Sequence, residues 1–164
     1  MKRFAFLIFG ICWMAISSCS TTSPGVKKEA DVAKETALKT AIEQHRFVIQ
    51  VNRMNPMSGA SKQLTSPYSL EIRGDTVVSY LPYFGRAYSV PYGGGNGLNF
   101  TSTITDYTSV IDKKGKTSIN FKTKTDEDRF SYRVLIFQDG TSTIYVTTEN
   151  RQPISFDGNV ETKN

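Results

Sequence analysis

From Arg46 onward, apolar side chains recur at every second position, and this change of period constrains the fold more than any other feature of the chain. Phe47, Ile49 and Val51 alternate with Val48, Gln50 and Asn52, and Tyr68, Leu70 and Ile72 alternate with Ser69, Glu71 and Arg73. Successive side chains of a β-strand point to opposite faces, so this spacing builds half-buried strands. The same reading predicts strands at Thr76 to Leu81, Leu98 to Tyr107, Thr117 to Thr123, Phe130 to Phe137 and Ser142 to Thr148. Shorter pieces are expected near Arg86 to Val90 and Ile154 to Phe156. The supply of Thr, Tyr, Phe, Val and Ile suits such strands.

The connections predict antiparallel hairpins. Gly74-Asp75, Lys113-Lys114-Gly115 and Asp139-Gly140 each place a residue that tolerates positive φ between two alternating runs. At Asp139-Gly140 the pattern selects the register. A two-residue loop pairs Val134 with Tyr145 and splits the apolar sets. A three-residue loop over Gln138-Asp139-Gly140 pairs Val134 with Ile144 and Tyr132 with Val146, which gathers them on one face. Many short meandering strands imply a barrel or a sandwich, and closure into a barrel removes exposed edges. The expected fold is therefore mainly β: a small antiparallel barrel over residues 46–160, followed by a short tail at 161–164.

The opposite end of the chain reads as an export signal. Lys2 and Arg3 precede an uncharged apolar run from Phe4 to Ile16, too short for a membrane span of about 20 residues. The run ends in Ile16-Ser17-Ser18-Cys19, which resembles the lipobox of bacterial lipoproteins. On this reading residues 1–18 are a signal peptide and Cys19 is the lipidation site. A second acyl chain on the new amino terminus would make the membrane anchor stable, where one chain alone is marginal. Lys2 and Arg3 leave with the signal, so 18 basic side chains face 15 acidic ones and the formal charge falls from +5 to +3. Such scattered charge, without basic clusters beside stacking aromatics, argues against a nucleic-acid partner. Cys12 is discarded, so no disulfide can form within the mature chain.

Residues 19–25 form a polar tether. Val26, Ala30, Ala33, Ala37, Leu38, Ala41 and Ile42 then recur at helical steps, predicting one amino-terminal helix over residues 26–45 with Glu35 and Lys39 placed to pair. Its largely alanine face can cap a barrel end or serve as a stalk, and the sequence leaves both open.

No catalytic constellation emerges. His45 is the only histidine and sits at the helix-to-strand junction, where a solvated or capping role is the ordinary one. One histidine and a lipidated cysteine cannot assemble a metal site, and no cofactor is implied. Asp126-Glu127-Asp128 lacks the alternating ligands and central glycine of a calcium loop and reads as a solvated charged turn. Tyr92-Gly93-Gly94-Gly95-Asn96-Gly97 has neither the following Lys-Ser or Lys-Thr nor the helix of a phosphate loop, so it reads as a barrel-mouth loop.

The stretch Tyr80-Leu81-Pro82-Tyr83-Phe84-Gly85-Arg86-Ala87-Tyr88, with Pro91-Tyr92 close behind, is denser in aromatics than strand alternation explains. Tyr83, Arg86, Tyr88 and Tyr92 can line a pocket that stacks on a ring or sugar and binds an acidic group. The same residues can equally form an aromatic mini-core that closes the barrel. Two functions follow: a non-enzymatic module for a small amphipathic or glycan ligand, or a solid barrel whose outer face docks on another envelope component. Large inward Phe and Tyr would favour the solid version.

At these residues the chain resembles the Bacteroides-type lipoproteins of domain-of-unknown-function family 4251. The resemblance runs from about Arg46 to Val160 and rests on Tyr68 to Asp75, Leu81 to Tyr88 and Asn150 to Gly158. It implies a small lipocalin-like barrel preceded by a helix and brings no activity or ligand. Surface-displayed lipoproteins of such hosts tend to carry acidic residues after the lipidated cysteine. Ser20-Thr21-Thr22-Ser23 is neutral, which implies an outer-membrane anchor facing the periplasm. Asp75-Thr76-Val77 also resembles the periplasmic O-glycosylation signal of these bacteria, with Thr76 as the acceptor.

Overall fold

The computed structural model describes residues 24–89 and 95–161. One helix, α1 (Pro24–Glu43), leads into eight strands: β1 (Arg46–Pro56), β2 (Lys62–Arg73), β3 (Thr76–Leu81), β4 (Leu98–Ile111), β5 (Thr117–Lys124), β6 (Arg129–Ile136), β7 (Thr141–Thr148) and β8 (Ile154–Glu161). Each strand pairs antiparallel with the next, and β8 returns to β1, so the sheet closes into a meandering barrel. The expected β6–β7 register is present: Val134 faces Ile144 and Tyr132 faces Val146. The intervening loop is the three-residue form, with Gly140 at φ +86° and its N–H donating to the Phe137 carbonyl at 3.0 Å.

The interior is filled by side chains. Phe47, Phe121, Phe130, Tyr132 and Phe156 are each at most 2 % exposed. Phe121 and Tyr132 stack face to face at 4.8 Å. Aliphatic residues such as Ile49, Leu70, Val77 and Ile144 complete the packing. A barrel of eight strands can be either filled or just wide enough for one small ligand, and this one is filled.

Several boundaries differ from those expected. The helix begins at Pro24, inside the predicted tether, because a proline in the first turn gives up an N–H that would have no helical partner anyway. It ends at Glu43 and not at residue 45, because His45 turns left-handed at φ +53° and its N–H closes onto the Ile42 carbonyl. Of the predicted apolar stripe, Leu38 and Ile42 are buried in the core cluster and Ala41 packs against it. The carboxy-terminal half of α1 thus caps the barrel end that carries the β2–β3 turn, where Gly74 N–H donates to the His45 carbonyl at 2.8 Å. Glu35 and Lys39 pair at 2.8 Å as expected.

β2 starts at Lys62, earlier than the alternation suggested. Pro67 interrupts the pattern but lies before Ser69, where pairing with β3 begins, so its missing N–H leaves that ladder whole. β4 runs on to Ile111 through a bulge at Asp106, whose φ of +54° resets the alternation so that Tyr107 turns inward. β8 continues through Asp157-Gly158-Asn159 to Glu161, one residue beyond the expected barrel limit of 160. The strand expected near Arg86 to Val90 is reduced, among the described residues, to a single bridge between Ala87 and Arg151. Residues 1–18, Cys19 and the rest of the tether before Pro24 lie outside the described residues, as do the last three of the tail.

Candidate functional site

The barrel end opposite α1 is closed by polar side chains. The described parts of the β3–β4 connection, residues 82–89 and 95–97, lie at this end together with the β1–β2, β5–β6 and β7–β8 turns. Asp128 ends the β5–β6 turn with its side chain 1 % exposed. Its Oδ1 accepts the backbone N–H groups of Arg129, Glu149 and Asn150 at 2.8, 3.2 and 3.3 Å. Arg151, 8 % exposed, reaches Glu127 at 3.6 Å and Asp128 at 3.9 Å. Its guanidinium also lies 5.4 Å from the centre of the Tyr83 ring, within cation–π range.

The expected solvated turn at Asp126-Glu127-Asp128 is therefore corrected. Asp126 is exposed, Glu127 is half-buried and Asp128 is buried. A buried carboxylate survives here because three N–H donors and a cation surround it. Among the described residues, Asp128 Oδ2 and Arg151 Nε have no hydrogen-bond partner.

The same cluster ties down the β3–β4 connection. Tyr83 Oη lies 3.0 Å from the Arg86 carbonyl and 3.1 Å from the Gln152 carbonyl, both acceptors for its proton. Burial pushes the Tyr83 hydroxyl up from its ordinary pKa. Gln152 Oε1 accepts Arg86 N–H, and Gln152 N–H donates to the Arg86 carbonyl. On the far side of the connection, Asn96 N–H donates to Glu127 Oε1 at 3.1 Å. At Gly95 an added side chain would meet that carboxylate and displace it, so the glycine leaves the Glu127 side chain where it holds Asn96 N–H.

The predicted ligand residues divide. Tyr83 is half-buried and spends its hydroxyl on the chain itself, which is the mini-core role. Arg86 and Tyr88 face solvent, Tyr88 at 65 % exposure, and among the described residues the Arg86 guanidinium makes no ion pair. Tyr92 lies outside the described residues. Phe84, 48 % exposed, joins the exposed set with Lys62 Nζ 3.5 Å from its ring centre. Met57, on the β1–β2 loop at the same end, is 67 % exposed.

The residue that sequence reasoning missed is Arg151. Its only sequence signal is an arginine between the strands expected at Ser142 to Thr148 and Ile154 to Phe156. Elsewhere, His45 lies against Tyr107 with ring centres 4.0 Å apart and the planes tilted by 37°, and Thr76 opens β3 half-buried between Arg73 and Thr103. Among the described residues no group of three His, Cys, Asp or Glu is arranged to hold a metal, and no helix is long and apolar enough to cross a membrane.

The chain matches the family described as Domain of unknown function (DUF4251) over residues 29–160. Among solved structures it is similar to the crystal structure of a DUF4251 family protein from Bacteroides eggerthii, at TM-score 0.63 and 18 % identity. That likeness covers 82 % of this chain and 91 % of the other, and it speaks to the fold. No curated protein matches.

Proposed function

This chain belongs to the DUF4251 family of domains of unknown function, and from that premise we propose that it is a lipid-anchored, non-enzymatic interaction module of the cell envelope. The observation that carries the reading is the contrast between a filled barrel and an exposed rim. The interior leaves large aromatics packed against one another, while Phe84, Tyr88 and Met57 stand in solvent at one end. Apolar side chains grouped on a rim beside Lys62 and Arg86 suit docking on another envelope component. The anchor is Cys19, and the neutral Ser20 to Ser23 supports an outer-membrane position facing the periplasm.

A second reading keeps the small ligand but moves it from the interior to the rim. Arg86 without an acidic partner beside the exposed Tyr88 favours it, since a sugar or amphipathic acid could stack on one and pair with the other.

A photo-cross-linking residue placed at Tyr88 in living cells tests both. The docking reading expects one discrete adduct that is absent when the probe sits at Val110, an exposed position of β4. Adducts indistinguishable between the two positions would reject it, and a glycan-only adduct would favour the second reading. Replacing Cys19 by Ala should abolish palmitate labelling and release the protein from the membrane fraction.

A further inference from the structure

The register of β4 to β7 builds a feature on the outer wall, which borders the rim along Lys124, Arg129 and Glu149. Thr105 faces Lys122, Lys122 faces Ser131 and Ser131 faces Thr147, so one rung across four strands carries mostly short hydroxyl side chains. The rung on one side carries Lys124 and Arg129, and the rung on the other carries Arg133 and Tyr145. Short side chains between long ones leave a furrow, which opens to about 620 Å³ along its Lys124 side. Four strands at about 4.8 Å spacing give it a floor about 14 Å long.

Charge in the furrow is unbalanced. Lys122 pairs with Asp106 at 3.0 Å and Arg129 with Glu149 at 3.4 Å. Arg133 bonds only the neutral Asn120, at 3.3 Å, and among the described residues Lys124 makes no ion pair. The excess is two positive charges, lining a floor of hydroxyl groups, with Tyr145 45 % exposed at one wall.

We propose that this furrow binds an anionic oligosaccharide, a chain of sugars bearing carboxylate or sulfate groups, laid across β4 to β7. The hydroxyl floor matches sugar hydroxyls. The flanking Lys and Arg match the acidic substituents, and the Tyr145 ring offers a plate for a sugar face. An acidic peptide would use the charges but has no need of the tyrosine plate.

The test uses the full chain in mild detergent with three probes: a heparin-derived hexasaccharide, maltohexaose and octaglutamate. The hexasaccharide should bind, weakening with salt, while maltohexaose should not. Replacing Lys124 and Arg133 together by Gln should weaken binding about tenfold, the loss expected for two exposed charge contacts. Tyr145→Ala should weaken it about threefold. All three positions lie on the outer surface, so unchanged thermal melting of the variants shows that the fold is intact. Absence of hexasaccharide binding, or equal binding by the variants, overturns the proposal. So does octaglutamate binding as tightly as the hexasaccharide with no dependence on Tyr145, which would make the furrow a general anion surface.

Discussion

The hydroxyl of Tyr132 donates to Ser79 Oγ at 3.2 Å inside the barrel, and Ser79 passes the bond on to the Leu98 carbonyl at 2.7 Å. This line of two hydrogen bonds links β6, β3 and β4 through an otherwise apolar core. A buried hydroxyl is tolerated when it is paired and is a liability when it is not.

Tyr107 provides the contrast, because its hydroxyl is also buried but has no hydrogen-bond partner among the described residues. The two Tyr→Phe substitutions should therefore act in opposite directions. Tyr132→Phe removes a paired donor and should lower the melting temperature by about 2–4 °C. Tyr107→Phe removes an unpaired group, keeps the ring against His45 and should raise it by a similar amount. Calorimetry on the two variants measures the difference, and a shift of the same sign in both would contradict the assignment.

Alkaline pH should weaken the fold through the same two side chains. Burial pushes the Tyr107 hydroxyl up to about 12 and raises that of Tyr132 further still. In the unfolded chain both release their protons near pH 10. Between pH 10 and 12 the folded state keeps protons that the unfolded state has lost, so their stabilising contribution is complete below pH 10 and fades as pH climbs through 12. Urea midpoints should fall between pH 9 and 11, and Tyr107→Phe should lose less than the parent over that interval.

The rim cluster gives a third expectation. Arg151→Met leaves the Asp128 carboxylate buried without its facing cation and should destabilise the protein by about 3–5 kcal/mol. In the double variant Arg151→Met with Asp128→Asn, the amide oxygen can still accept the three backbone N–H bonds while no charge is buried. Chemical denaturation should find the double variant more stable than the sum of the single losses. Strict additivity would mean that the two groups do not interact.

How far the sequence reveals these features depends on range and chemistry. The β6–β7 register was legible because Val134, Tyr132, Ile144 and Val146 are apolar, close in sequence and joined by a loop whose length has two plain options. The filled interior was foreseeable as one of two outcomes, since only three dimensions show whether Phe121 and Tyr132 meet. At the site, the density of Tyr83 to Tyr88 marked the segment but not the division of labour within it, because facing a Gln152 carbonyl is a long-range event. Arg151 was opaque for the same reason: its partners lie two turns earlier in the chain, and a lone arginine in a turn carries no periodic signal.

β8 shows a strand whose sequence argues against it and whose neighbour explains why. Asp157-Gly158-Asn159 are poor strand formers, yet Gly158 pairs with Val51 on one side and Ser142 on the other. A side chain at Gly158 would run into the backbone carbonyl of Gln50, which belongs to the β1 ladder and cannot turn aside without breaking pairing. Gly158 thus lets β8 approach β1 at the seam that closes the barrel. Gly158→Ala should destabilise the protein by about 3 kcal/mol, the range expected for overpacking against a rigid neighbour. Hydrogen exchange should locate the effect, with faster exchange in β1 and β8 and little change in the β5–β6 pairing. Uniform acceleration across all strands would show that the seam opens only with the whole barrel, and an unchanged melting temperature would show that the approach of Gln50 is not constraining.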